Sequence, residues 1–248
     1  MAIRDYKNGF KVNYDEYHHQ VQDPHKKEWN LSEIILGGQD GLVNVLGVIL
    51  GVAAATHDVR VVLVAGLAAA FAESISMGAV AYTSTLANAD FYESEKEREY
   101  RHIQDVPNLE RDEIRSIYQE KGFSGQLLDK IVDTITANED VWVAVMMSEE
   151  HKLIPVDRQS ALKSALIVGI SAIVGSIIPL IPFVILPIYG GMVGSVFLTA
   201  TVLFLVGVYK ARATVGKPLR SGLEIALIGT ISALVGYIIG LLLKSPVT

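Results

Sequence analysis

Two carboxylates inside long apolar stretches are the first residues that could do chemistry. Asp40 interrupts the apolar stretch 32–56, and Glu73 interrupts the stretch 61–87. A central Asp costs about 2.5–3.5 kcal/mol on membrane-insertion scales, so such groups usually face an ion path or carry protons. Met77 follows Glu73 by one helical turn and therefore shares its helix face.

Asn44 and Ser76 add neutral oxygen ligands to this set. Two carboxylates, a thioether and small polar groups suit a divalent transition metal better than an organic substrate. A structural interpretation stays open beside the metal path. In it, Asp40 caps a helix break at the neighbouring glycines, Glu73 pairs with a residue elsewhere, and Met77 fills a packing gap.

A second group of candidate ligands lies in the acidic segment 89–158, which holds 17 of the 27 acidic residues and 9 of the 21 basic ones. Carboxylate and histidine residues recur there three or four positions apart, as in Glu95 and Glu99 or Glu99 and His102, so the two members of each pair share a helix face. Glu-x-x-His and Glu-x-x-Glu on separate helices hold metal ions in bundles, and a thioether beside carboxylates favours Fe(II) over Mg(II) or Ca(II). The candidate metal ligands are Glu95, Glu99, His102, Glu110, Glu113, Met146, Met147 and Glu150.

The same spacing also fits a solvated acidic surface, since charged runs usually face water. Four arginines are interleaved with these carboxylates: Arg98, Arg101, Arg111 and Arg115. The absence of cysteine excludes a zinc–thiolate site and a cysteine nucleophile. With a net charge of −6, no basic patch points to a nucleic acid partner.

Hydropathy predicts the elements that position these residues. Half of the 248 residues are hydrophobic, and five apolar stretches reach the roughly 20 residues that cross a bilayer. A soluble protein with five such buried helices would be exceptional. Between the second and third stretches, the acidic segment is predicted to form three helices: an extension of span two to residue 104, then 109–121, then 124–150 with a break near Asn138. The predicted spans are 32–56, 61–87, 161–184, 186–209 and 221–243.

Charge asymmetry predicts the orientation. Five spans place the N-terminus, the acidic segment and the loop 210–220 on one face, which then carries 19 of the 21 Lys and Arg residues. The positive-inside rule assigns that face to the cytoplasm.

The order and spacing of several short motifs resemble those of the vacuolar iron transporter family over nearly the whole chain from Glu28. The motifs are Gly37-Gly38-Gln39-Asp40-Gly41-Leu42, Ile75-Ser76-Met77-Gly78, Val106-Pro107 followed by Glu110 and Glu113, Met146-Met147 with Glu150, and Arg220-Ser221-Gly222-Leu223-Glu224.

This resemblance implies a homodimer with its pore at the dimer interface, five transmembrane helices and a three-helix cytoplasmic metal-binding domain. It implies export of Fe(II), and often Mn(II), from the cytosol in exchange for protons. Asp40 and Met77 match the family's residues in spans one and two. The metal ligands of the family's cytoplasmic domain match Glu99, His102, Glu110, Glu113, Met146, Met147 and Glu150.

Two positions depart from the family pattern. Ala69 stands where the family often has a carboxylate, and Glu73, one turn further along, is the candidate substitute. His102 stands in place of a carboxylate and gives a site richer in nitrogen, which either shifts metal preference along the Irving–Williams order or makes metal binding depend on pH near about 6–7.

The sequence therefore predicts an all-α membrane protein with a cytoplasmic arm (1–30), spans one and two (31–88), a cytoplasmic metal-binding domain (89–158) and spans three to five (159–248). It is expected to be a homodimeric transporter in the plasma membrane of a prokaryote or the vacuolar membrane of a eukaryote. Its substrate is Fe(II), with Mn(II), Co(II) and Zn(II) as further candidates, and no organic cofactor or enzymatic activity is expected. The alternatives are a membrane-anchored ferroxidase or iron store, and a metal sensor or scaffold without transport.

Overall fold

A computed structural model describes residues 31–243, and within that range every regular element is helical. The predicted N-terminal arm, 1–30, lies outside the described residues. Two short segments have other helix types: Met146–Glu150 forms a π-helical turn and Ile178–Leu180 forms a 3₁₀ turn. The helices are α1 (Leu31–Thr56), α2 (Val59–Asp105), α3 (Pro107–Glu120), α4 (Gly125–Thr136), α5 (Glu139–Val145), α6 (Ser160–Ile177), α7 (Ile181–Ile185), α8 (Ile188–Ala213) and α9 (Pro218–Leu242).

Five stretches of helix are long and apolar enough to cross a membrane, which confirms the five predicted spans. They are α1, the first part of α2, the α6–α7 pair, α8 and α9. Large apolar side chains point outward from them, such as Phe71, Ile75 and Phe197. An outer surface of this kind suits lipid, in which backbone groups must be satisfied within the helices themselves.

Helix α1 occupies the centre of this bundle and packs against α2, α6, α8 and α9. Its buried face carries Val45, Leu46 and Ile49. Small residues allow the neighbouring backbones to approach closely, as is usual between membrane helices. A Cβ on Gly41 would lie 2.3 Å from the carbonyl oxygen of Ala172, so the α1–α6 contact requires glycine there.

Asp40 lies within an uninterrupted helix, because α1 runs from Leu31 to Thr56 without a break. The alternative in which Asp40 caps a helix break is therefore wrong. The flanking glycines serve helix packing instead: Gly37 and Gly41 both face α6.

Helix α2 joins the membrane bundle to the acidic segment without interruption. Asp58 caps its start by accepting hydrogen bonds from the backbone N–H of Arg60 (2.8 Å) and Val61 (3.3 Å). The helix continues for 47 residues to Asp105, as the sequence predicted for span two. At about 1.5 Å per residue, Glu99 stands roughly 39 Å along the axis from Glu73.

The rest of the acidic segment folds against the far end of α2. Helix α3 begins with Pro107, whose missing N–H costs nothing at a first helical position. The predicted third helix has its break at Asn138, whose side chain caps α5 by accepting from Val141 N–H at 3.1 Å. An apolar core holds these pieces together, and its buried members include Ile103, Ile114 and Trp142.

Candidate metal centres

Three predicted ligands meet at the end of α2. Glu99, His102 and Glu110 each offer one ligand atom, and these atoms all lie within 4.8 Å of one another. Nδ1 of His102 is 3.5 Å from Oε1 of Glu110 and 3.9 Å from Oε1 of Glu99. Two carboxylates and an imidazole at this spacing can enclose a divalent transition metal.

A tight turn between α2 and α3 creates this meeting point. Val106 ends α2 with a hydrogen bond from its N–H to the carbonyl of His102 (2.8 Å), and the N–H of Glu110 bonds back to the carbonyl of Val106 (3.3 Å). Helix α3 therefore starts immediately, and its first turn carries Glu110 beside the last turns of α2. The turn thus brings Glu99 and Glu110 together from two helices, a contact that spacing within one helix does not produce.

Burial distinguishes this cluster from a surface charge run. Glu99 is 2% exposed and Glu110 is 3% exposed. The Oε2 atom of each is buried and has no hydrogen-bond partner within the described part of the chain. An isolated buried carboxylate is costly unless a cation or a proton satisfies it. Burial, followed by the negative charge of Glu113, raises the pKa of Glu110 to about 7.

Glu113 and Glu150 lie at the edge of the same cluster. Glu113 lies close enough to Glu110 for its negative charge to raise the pKa of Glu110. Burial and then the charge of Glu113 raise the pKa of Glu150, and the charge of Glu99 adds to the effect. Four predicted carboxylate ligands therefore influence one another across α2, α3 and the π-helical turn.

His151 also belongs to this site, although no spacing in the sequence indicates a partner for it. Its Nε2 atom is 2.9 Å from Oε1 of Glu99. The π-helical turn brings the ring back to α2, since the N–H of His151 bonds to the carbonyl of Met146, five residues earlier (3.2 Å). Burial lowers the pKa of His151, but the hydrogen bond and charge of Glu99 outweigh it, so the pKa is raised. The signal in the sequence was its position directly after Glu150, at the end of the Met-Met-x-x-Glu motif.

Three other predicted ligands have different surroundings. Glu95 forms an ion pair with Arg98 at 3.0 Å. Met146 and Met147 are fully buried in the apolar core of the acidic segment. Their assignment as metal ligands stays a prediction.

The interleaved arginines of α3 pair away from the cluster. Arg115 bonds Asp129 of α4 at 2.7 Å, and Arg111 bonds Asp133 of the same helix. These pairs fasten α3 to α4 on the side that faces solvent. The acidic segment thus has a charged outer surface and, separately, buried carboxylates at the α2–α3 turn.

The structure also brings together three of the predicted residues in the membrane. The side-chain amide of Asn44 donates a hydrogen bond to Oε1 of Glu73 at 2.5 Å. The Asp40 carboxylate lies within interacting distance of Glu73. Within residues 31–243, no hydrogen bond joins Ser76 or Met77 to this group, although both lie on the next turn of α2.

Two cavities lie along α1 on either side of this polar group. One, of about 450 Å³, is lined by Asp40 and by residues closer to the start of α1. The other, of about 640 Å³, is lined by Asn44 and extends past Gly51 to Thr56, at the end of α1. Asp40 therefore lines one of these cavities and Asn44, one turn further along α1, lines the other.

Comparison with known proteins identifies the family. The sequence profile of the VIT family matches residues 31–241. The chain belongs to the VIT family. It is 34% identical to "Vacuolar iron transporter 1" of Arabidopsis thaliana over 83% of this chain and 82% of the relative. It is 32% identical to "Vacuolar iron transporter" of Plasmodium falciparum over 96% and 92%, and 31% identical to "Vacuolar iron transporter 1" of Oryza sativa subsp. japonica over 89% and 88%.

The VIT-family match covers both parts of the molecule. Residues 31–241 include the membrane helices and the whole acidic segment. The family match therefore includes the acidic segment, 89–158. The five apolar helices make this VIT-family chain an integral membrane protein.

Proposed function

We propose that this protein exports Fe(II) from the cytosol across a membrane in exchange for protons, with Mn(II), Co(II) and Zn(II) as further candidate substrates. The names of its relatives, vacuolar iron transporters, support iron as the transported metal. The proposal includes a homodimer, a cytoplasmic acidic insert (89–158), and a plasma-membrane or vacuolar location according to the host.

The observation that carries the proposal is the cluster at the α2–α3 turn. Two buried carboxylates there have one oxygen each without a partner in the described structure, and an imidazole lies beside them. Carboxylate and imidazole ligands without thiolate bind divalent metals that can leave again. In the proposal, Glu99, His102 and Glu110 capture the metal, with Glu113 and Glu150 at the edge of the site.

The membrane step belongs to Asp40, Glu73 and Asn44, with Met77 on the adjoining turn. Metal ions need deprotonated carboxylate ligands, so protonation of Asp40 or Glu73 releases the metal. An acidic compartment on the far side favours that release. The cavity lined by Asp40 and the cavity lined by Asn44 give access to these two residues from opposite ends of α1.

A flux measurement in proteoliposomes tests the proposal. Fe(II) uptake is measured anaerobically with a fluorescent indicator inside the vesicles, and an imposed pH gradient reveals proton coupling. The double variant Asp40→Asn, Glu73→Gln is expected to lose nearly all flux, about 100-fold or more, because it removes both intramembrane charges that bind the cation. Glu224→Gln is the matched control, since Glu224 is an exposed membrane-helix carboxylate paired with Arg220.

The outcomes separate the alternatives. Flux in the wild type and the control, but not in the double variant, supports the proposal. Wild-type flux in the double variant contradicts the membrane path. Metal binding without flux in any variant favours a sensor or scaffold, and oxygen consumption on addition of Fe(II) favours a ferroxidase.

A further inference from the structure

The cavity beside Asp40 contains a positive charge. It lies between α1, α8 and α9, and its lining includes Gln39, Asp40 and Lys210. Of the described residues that line it, Asp40 and Lys210 are the two charged ones, and they have opposite sign. The remaining wall is mainly apolar, with Ile35 and Ile228 among its members.

The two charges occupy different levels of this cavity. Asp40 is half-buried in the third turn of α1, while Lys210 is exposed in the last turn of α8. A cation that approaches Asp40 through this cavity therefore passes an ammonium group. Because Lys210 is exposed, its charge acts on a cation near Asp40 through a space that water and mobile ions can enter.

A fixed positive charge weakens the binding of a cation at a neighbouring carboxylate. Because Coulomb energy scales with charge, a divalent ion is repelled twice as strongly as a monovalent one. Transport requires a site that binds its ion firmly enough to load it and weakly enough to release it. An ammonium group that lines the same cavity as the Asp40 carboxylate shifts that balance towards release.

We propose that the charge of Lys210 sets the affinity of the Asp40 site for divalent metal ions. The inference rests on the proposed transport function, since it assigns Lys210 a role in the same path. Lys210 does not bind the metal. Its charge lowers the occupancy of Asp40 and prevents the site from retaining the ion.

Neutralising Lys210 tests this role. Lys210→Gln and Lys210→Met are expected to lower the KM for Fe(II) flux by about 3- to 10-fold, without raising the maximal rate, because one repulsive charge is lost near the site. Lys210→Arg keeps the charge and is expected to keep the wild-type KM. Arg212→Gln is the matched control, because Arg212 has the same charge in the same turn of α8 but does not line the cavity.

Salt supplies a second readout that a purely structural role would not produce. The difference in KM between Lys210→Gln and the wild type is expected to shrink as ionic strength rises, because mobile ions screen the charge. An unchanged or higher KM in both neutral variants overturns the inference. A decrease in KM in Arg212→Gln as large as that in Lys210→Gln also overturns the inference.

A binding measurement keeps this test independent of transport. Mn(II) binding is followed by electron paramagnetic resonance in purified protein whose insert site is removed by Glu99→Gln and Glu110→Gln. Tighter Mn(II) binding after Lys210→Gln supports the inference, and unchanged binding overturns it. If the wild type transports no metal, the proposed function fails, while this measurement still decides the role of Lys210.

Discussion

The insert and the membrane bundle both hold carboxylate pairs, but the pairs are built differently. In the insert, Glu99 and Glu110 are almost completely buried, and each has a buried oxygen without a partner in the described structure. In the membrane, Glu73 is half-buried and accepts a hydrogen bond from Asn44, while Asp40 and Asn44 each line a cavity. In the proposed transport function, the first arrangement would capture the cation and the second would let it pass.

The difference follows from what surrounds each pair. The insert carboxylates stand against a packed core and a tight turn, which fix their positions before a metal arrives. Preorganised ligands bind more tightly because little ordering is left to do. In the membrane, the Asn44 amide already donates a hydrogen bond to one Glu73 oxygen. A metal ion that binds there therefore gains less binding free energy from that oxygen.

Removing the metal ligands of the acidic segment is expected to cause the largest loss of metal affinity. The variant Glu99→Gln, Glu110→Gln is expected to weaken metal binding by the insert about 100-fold, because both charged ligands are lost while their volume is kept. Isothermal titration with Mn(II) measures the affinity. Glu97→Gln, an exposed glutamate on the same helix, is the control. Wild-type affinity in the double variant would place the capture site elsewhere.

His151 gives the next largest effect. His151→Ala is expected to weaken metal binding about 10-fold, since groups that orient a metal ligand typically contribute on that scale. The physical reason is the 2.9 Å contact that holds the Glu99 carboxylate. The same titration measures it, with His57→Ala, in the loop between α1 and α2, as the control. Equal losses in both variants would contradict a local role for His151.

The smallest expected effect is on stability and depends on pH. The pKa of Glu110 is about 7 in the folded protein, above its ordinary value of 4.5. The folded state therefore binds the proton more tightly than the unfolded state, and the stability that this contributes is lost as pH rises from about 4.5 through 7. The raised pKa values of Glu150 and His151 act in the same direction.

Metal-free protein is thus expected to unfold at a higher urea concentration at pH 6 than at pH 8. The fluorescence of Trp142, in the insert core, reports the transition when Trp29 is replaced by Phe. Glu110→Gln should reduce the pH dependence. A lower midpoint at pH 6 than at pH 8 would contradict the expected sign.

The membrane spans were predictable because each needs only a long apolar run, and burial in lipid leaves the chain no alternative to helix. The continuation of α2 beyond the bilayer was also predictable, since no Gly or Pro interrupts residues 79–104. Spacing further predicted that Glu99 and His102 share a face. These are local properties, and local sequence determines them.

The features that the sequence did not reveal depend on contacts between elements. His151 reaches Glu99 only through the π-helical turn, which shifts the following residue relative to an ordinary helix. Arg111 and Arg115 pair with α4, and no spacing within α3 specifies that partner. The glycines around Asp40 resemble turn chemistry in isolation, whereas in the bundle they allow α6 to approach.

Because α2 is one unbroken helix, a small tilt of its membrane part displaces its outer end by a larger distance. Its membrane part carries Glu73 and its outer end carries Glu99, roughly 39 Å away at 1.5 Å per residue. A rotation of about 5° at the membrane end would swing the outer end by about 3 Å over that length. Glu99 and His102 would travel together on the same helix, and the tight turn would carry Glu110 with them. In the proposed function, a small tilt within the bilayer would therefore move an ion held by Glu99, His102 and Glu110 by about 3 Å without changing the distances between its ligands.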